Sequence, residues 1–289
     1  MTNAGNTEIE PIEKIFKGDL DWVPIRLDNT VISLYKKFRL QGLKAIISGK
    51  LVEIYAYDKP LRRHIAPKRR IKTETDVEER SVRKEEYRLR NGQKAITEIK
   101  RLVFANFAKY SKLISLTFAD TDKFNISSLA DCNIRRVEFI NRVKKELNTD
   151  LKYISVSEYQ ERRGAVHYHF ICDLDYLTKD KLTELWPYGF ADIRAIDDVN
   201  KSAFYIAKYV KKNRLDPRFE KKRTYHTSNN LIRPKKVYEY EVEELLKRAV
   251  SLNLVPIRKG SFPTIVNGTA KYVEFVFPET EVLNDTSKD

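Results

Sequence analysis

The chain has 289 residues, 42% hydrophobic and 11% aromatic, which is long enough to bury a core and too apolar for a disordered chain. Its 55 Lys and Arg outnumber 41 Asp and Glu, and a net charge of +14 draws in polyanions, of which nucleic acid is the commonest. With only Cys132 and Cys172 there is no disulfide framework or four-cysteine zinc site, and no stretch approaches the roughly 20 apolar residues of a membrane span.

The first residues, MTNAGNTEIEPIEKIF, lack the basic start and apolar run of a signal peptide, so a reducing cytoplasmic location is the default expectation. Residues 1–30 are mixed in character. From Thr30 to Tyr57 β-branched and aromatic residues gather, and Ser48-Gly49 divides Ala45-Ile-Ile from Leu51-Val-Glu-Ile-Tyr, which predicts a hairpin. Lys59 to Lys72 is a cationic stretch that reads equally as a solvated linker or a DNA-backbone contact; His64 within it has no metal-type neighbours.

Ala95, Ile96, Ile99, Leu102, Val103 and Phe107 keep helical spacing, and Asn91-Gly92 is expected to separate this helix from an earlier charged one. A strand follows at Leu113–Phe118. Ile134, Val137, Ile140, Val143 and Leu147 then predict a helix, with Asn133 as its cap. Two strands, Tyr153–Tyr159 and Ala165–Cys172, flank Gln160–Gly164 as a hairpin. A short helix at Leu182–Trp186, a strand at Phe190–Ile196 and a helix at Ser202–Asn213 complete the order β-α-β-β-α-β-α. Its first six elements match the ferredoxin-like arrangement, an α+β fold with helices on one face of an antiparallel sheet and the other face free for a ligand. Residues 214–236 form a second cationic loop, followed by a helix near Glu241–Val250 and a strand at Tyr272–Phe277. The expected divisions are a basic region over 1–95, a central domain over 96–236 and an appendage over 237–289. There is no phosphate-binding G-x-x-x-x-G-K-[ST] loop, so no ATP-driven motor is expected.

The chemistry concentrates in two places. His167 and His169 stand two apart on a strand and so share a face, and Glu158 on the partner strand can add an oxygen ligand. Two imidazoles and a carboxylate suit a divalent ion; Mg²⁺ or Mn²⁺ fits phosphate chemistry, and zinc or iron would accept the same donors. A bare H-x-H is also common on an ordinary sheet face. The strand–helix alternation disfavours a cupin-like metal oxygenase barrel. On the last predicted helix Tyr205, Lys208, Tyr209 and Lys212 share one side, while Ile206 and Val210 dock another. By itself this is an ordinary amphipathic helix with half-buried tyrosines. Beside a metal it is a pair of nucleophiles. Phenol ionises near ~10 and needs help to attack a phosphodiester, and neighbouring lysines favour the phenolate.

Leu116-Thr-Phe118, then Glu158 with His167-Tyr-His169, then Tyr205-Ile-Ala-Lys-Tyr209-Val-Lys-Lys212 resemble, in order, the three motifs of the HUH endonucleases. The match is to the two-tyrosine rolling-circle replication initiators of phages and plasmids, such as the gene A protein of microvirus phages. The resemblance spans about residues 113–213. It implies an RRM-like, ferredoxin-like HUH core with central histidines facing the tyrosine helix. It also implies Mg²⁺ or Mn²⁺, a single-stranded or hairpin DNA origin, and nicking and rejoining through 5′-phosphotyrosine. A chain without a motor would rely on a host helicase and replication machinery. The alternatives are an HUH transposase or relaxase, or a non-catalytic single-stranded DNA- or RNA-binding protein that stacks bases on Tyr and Phe.

Overall fold

The computed structural model describes residues 42–61, 77–213, 216–264 and 267–278. It is α+β, with two antiparallel sheets and five helices among the described residues. The chain divides into two compact units, Met1–Arg70 with Pro234–Asp289, and Ile71–Arg233. Most of the cationic stretch Lys59–Lys72, with His64, and all of residues 1–30 lie outside the described residues.

The first unit holds β1 (Leu43–Ser48), β2 (Leu51–Tyr57), β8 (Lys235–Tyr238), α5 (Tyr240–Ser251), β9 (Arg258–Thr264) and β10 (Gly268–Val276). The predicted hairpin is β1–β2, turning at Gly49 with φ of 56°. β10 pairs with β2 and β8 with β1, giving the order β8-β1-β2-β10-β9. Alternation puts Ala45, Ile47, Val52, Ile54, Val273 and Phe275 on one face, where Val242, Leu246 and Ala249 of α5 join them in one core. The structure therefore replaces the expected division at residues 95 and 236. Strands from both ends of the chain complete one sheet, because neither set alone buries its apolar face.

The second unit begins with α1 (Val77–Asn106), which runs unbroken through Asn91-Gly92, contrary to the expected separation into two helices. A single Gly costs a helix about 1 kcal/mol, which flanking helix formers and the buried Ile99, Leu102 and Val103 offset. Then come β3 (Lys112–Thr117), α2 (Leu129–Glu146), β4 (Tyr153–Tyr159), β5 (Val166–Cys172), α3 (Lys179–Leu185), β6 (Ala191–Ala195) and α4 (Val199–Asn213). A further strand, β7 (Tyr225–Thr227), pairs with β4 where the sequence suggested only a basic loop. The sheet order is β6-β3-β5-β4-β7, every neighbour antiparallel.

The cap of α2 is Ser128, whose side chain accepts from the Asp131 amide, rather than Asn133. Its buried stripe is Leu129, Cys132, Arg136, Phe139, Ile140 and Val143, while Ile134 and Val137 are exposed. A periodicity that starts at Ile134 therefore places the face partly on the wrong side. The β4–β5 turn closes as expected, through Gln160 N–H to Ala165 O and Gly164 in the left-handed region. Before β6 the backbone of Gly189 passes so close to β3 that a Cβ would stand 2.4 Å from the Thr117 carbonyl oxygen.

Alternation along β5 sends Val166, Tyr168, Phe170 and Cys172 into a core shared with Phe139 and Trp186. His167 and His169 therefore project from the opposite face. That face is not left free, as the ferredoxin-like pattern suggested. α4 lies over β4 and β5, docked by the buried Ile206 and Val210, and α1 packs against α4.

Candidate active site

Glu158 of β4 is the cross-strand partner of His167 on β5, and Ser115 of β3 is the partner of His169. These side chains share one face because facing antiparallel residues project together. His169 Nε2 stands 3.0 Å from Glu158 Oε2, and Ser115 Oγ stands 3.3 Å from His169 Nδ1. Burial would raise the Glu158 pKa, but bonds from His169 and Lys212 outweigh it and hold the carboxyl at about 2. An ionised carboxylate only accepts, so His169 donates to it from Nε2–H, and the Ser115 hydroxyl lies against Nδ1.

His167 is stacked on His169, ring centroids 4.5 Å apart. Burial, then the neighbouring His169, lowers its pKa to about 4, so it is neutral at pH 7. Its Nε2 is buried and bonds to nothing. On the other side of His169 lies the Tyr209 ring, and Tyr205 meets both His169 and Tyr209 edge-on. The structure thus forms a stack of His167, His169 and Tyr209, bordered by Tyr205. Burial, then the hydrogen bond with Tyr205, pushes the Tyr209 phenol well above its ordinary range.

The end of α4 is tied to β4 by Asn213, whose side-chain amide donates to the Ser157 carbonyl oxygen. That bond brings Lys212 to Glu158 at 2.6 Å and to Glu161 at 2.9 Å. Lys212 is therefore ion-paired with two carboxylates. Lys208 is exposed and joins no contact of the cluster among the described residues. Ser115 and Asn213 are site residues that the sequence reading missed. A serine alternating with Ile114 and Leu116 on a buried strand was the available signal for the first. Arg194 of β6 is a third: it bonds Asp192 at 2.9 Å, and its charge acts on Tyr209.

Residues 111–214 match the family of replication-associated proteins described under the name ORF2. Over this segment the chain is similar to phage replication-associated proteins. One such relative is the replication-associated protein ORF4 of Chlamydia phage 1, 30% identical over 83 residues. That match covers 22% of this chain and 20% of the relative. No solved structure matches significantly. The Rep-like segment runs from the start of β3 to the end of α4, and so contains both the histidine strand and the tyrosine helix. No described helix is long and apolar enough to cross a membrane.

Proposed function

We propose that this chain initiates replication of a phage or plasmid genome by nicking and rejoining single-stranded DNA, using Tyr205 and Tyr209 on a ferredoxin-like HUH core. The observation that carries this reading is the direct packing of the tyrosine pair on His169, inside the Rep-like segment. The strand order β6-β3-β5-β4, with α2 following β3 and α3 before β6, supports the ferredoxin-like reading.

In the reaction a tyrosine oxygen bonds to the scissile phosphorus and the bond to the 3′-oxygen breaks. The phenol proton ends on that 3′-oxygen. The product is a 5′-phosphotyrosine and a free 3′-hydroxyl, and the reverse exchange rejoins the strand. Tyr209 is protonated in the resting site, so its proton must leave as the new bond forms. Lys208, free of ion pairs among the described residues, can reach out to a DNA phosphate.

His167, His169 and Glu158 would hold Mg²⁺ or Mn²⁺. The unpartnered, neutral Nε2 of His167 is a ready ligand, and the Glu158 carboxylate is ionised. Among the described residues, however, no three His, Cys, Asp or Glu side chains are already arranged to hold an ion. Glu158 is instead bonded to His169 and Lys212. Loading requires the His169 proton and the Lys212 ammonium to give way. When bound, the ion would polarise the phosphate and offset charge in the transition state.

The test is covalent capture. Protein with Mn²⁺ and labelled single-stranded DNA from around its own gene is denatured in detergent and run on a gel. Label shifted with protein, and lost in the Tyr205→Phe, Tyr209→Phe double variant or without metal, is the expected result. Binding of that DNA with no adduct would favour the non-catalytic reading. Cleavage at the ends of a mobile element instead of an origin would favour a transposase or relaxase.

A further inference from the structure

On the face of the central sheet away from the histidines and tyrosines, α2 carries an arginine into the interior. Arg136 is only 5% exposed. Its Nε donates to Asn133 Oδ1 at 3.3 Å and its Nη1 to Ser155 Oγ at 3.4 Å. Both acceptors are neutral, and Asn133 Oδ1 already accepts from the Tyr168 hydroxyl at 3.0 Å. No carboxylate pairs with Arg136 among the described residues. A buried guanidinium without an anion is costly, since its charge is desolvated and only partly compensated.

The surroundings add positive charge instead of cancelling it. Ser155 is the register partner of His226 on β7, so His226 projects on the same face beside Arg136. Its Nε2 is buried and bonds to nothing. Arg223, just before β7, is exposed and also acts electrostatically on His226. A buried cation, an unpartnered imidazole nitrogen and a serine hydroxyl thus meet at the β4–β7 edge, and the exposed Arg223 adds positive charge to their surroundings.

We infer that Arg136, Ser155 and His226 form a binding site for a phosphoryl oxyanion, separate from the tyrosine site. The guanidinium would donate charge-assisted bonds to the oxygens, and His226 as its Nε2–H tautomer and Ser155 would donate further ones. The phosphoryl group could be free phosphate or a phosphate of the DNA backbone. Either would tie the edge strand β7 to α2 through the ligand.

The experiment is a titration of the full chain, ¹⁵N-labelled, with inorganic phosphate. The readouts are the His226 ring resonances and the melting temperature. A saturable shift of His226 with a rise in melting temperature is expected. Arg136→Gln should weaken binding by about tenfold or more, the loss of a charge-assisted bond. His226→Ala, at a partly exposed edge position, guards against misfolding of the first variant and should also weaken binding, read by the melting temperature because this variant lacks the reporting ring. Single-stranded DNA is then added to the phosphate-saturated protein. Displacement of phosphate identifies the backbone as the source, and retention identifies the free ion. No saturable response, or the same response in folded Arg136→Gln and His226→Ala, would overturn the site whether or not the tyrosines cut DNA.

Discussion

The ring of Tyr209 lies flat against the imidazole of His169, centroids 3.5 Å apart and planes 15° apart. This contact joins the expected nucleophile helix to the expected ligand strand, elements well separated in sequence. It makes Tyr209, the proposed nucleophile, a wall of the site as well. Tyr209→Phe keeps the stack and should change stability by less than about 1 kcal/mol, while Tyr209→Ala removes a half-buried ring and should cost about 2 kcal/mol. Urea unfolding of the two variants checks this. Equal stabilities would show that the stack contributes nothing.

Acid should weaken the fold in two stages. His167 and His226 are each held at about 4 in the fold against an ordinary 6.5. Between those values the unfolded chain takes up protons that the folded chain refuses, so stability falls as pH drops from 6.5 towards 4. Glu158, held at about 2 against 4.5, adds a further loss between 4.5 and 2. Urea midpoints from about pH 7 to about pH 4 should decline in the wild type and decline less in the His167→Asn, His226→Asn double variant. An unchanged slope in that variant would place the acid sensitivity elsewhere.

Metal should stabilise the chain by mass action. At about a hundredfold excess over its dissociation constant Mn²⁺ should add about 2.7 kcal/mol, reversed by chelator. His167→Ala should abolish the effect, since its Nε2 is the proposed ligand atom that has no hydrogen-bond partner. Lys212→Met should enhance it by releasing one oxygen of Glu158. Stabilisation of equal size in His167→Ala would remove that residue from the ligand set.

The continuity of α1 offers a stability test far from the site. Gly92 lies inside a helix that runs from Val77 to Asn106. Gly92→Ala should add about 1 kcal/mol, and the melting temperature should rise by about 2 °C. A loss of stability would indicate a break in the helix at Asn91-Gly92.

Periodicity and local chemistry were enough to read much of this chain. The alternation in VHYHFIC put two histidines on one side of a strand, and Gly164 marked the turn that sets Glu158 beside them. The spacing of Tyr205, Tyr209 and Lys212 put them along one side of a helix. These are short-range properties, fixed by the two-residue repeat of strands and the 3.6-residue repeat of helices. The misreadings were also local. Asn91-Gly92 resembled a break because propensity is a weak prior that buried contacts override, and Ile134 and Val137 resembled a core face although the neighbouring stripe is the one that packs.

Only tertiary structure decided which face of the sheet α4 covers, and therefore that Tyr209 stacks on His169 instead of facing solvent. It also decided that Lys212 pairs with Glu158, that Ser115 supports His169, and that Arg136 is buried without an acid. Each of these depends on residues brought together from distant strands and helices. Sequence spacing determines which side chains share a face, but long-range packing determines what that face meets.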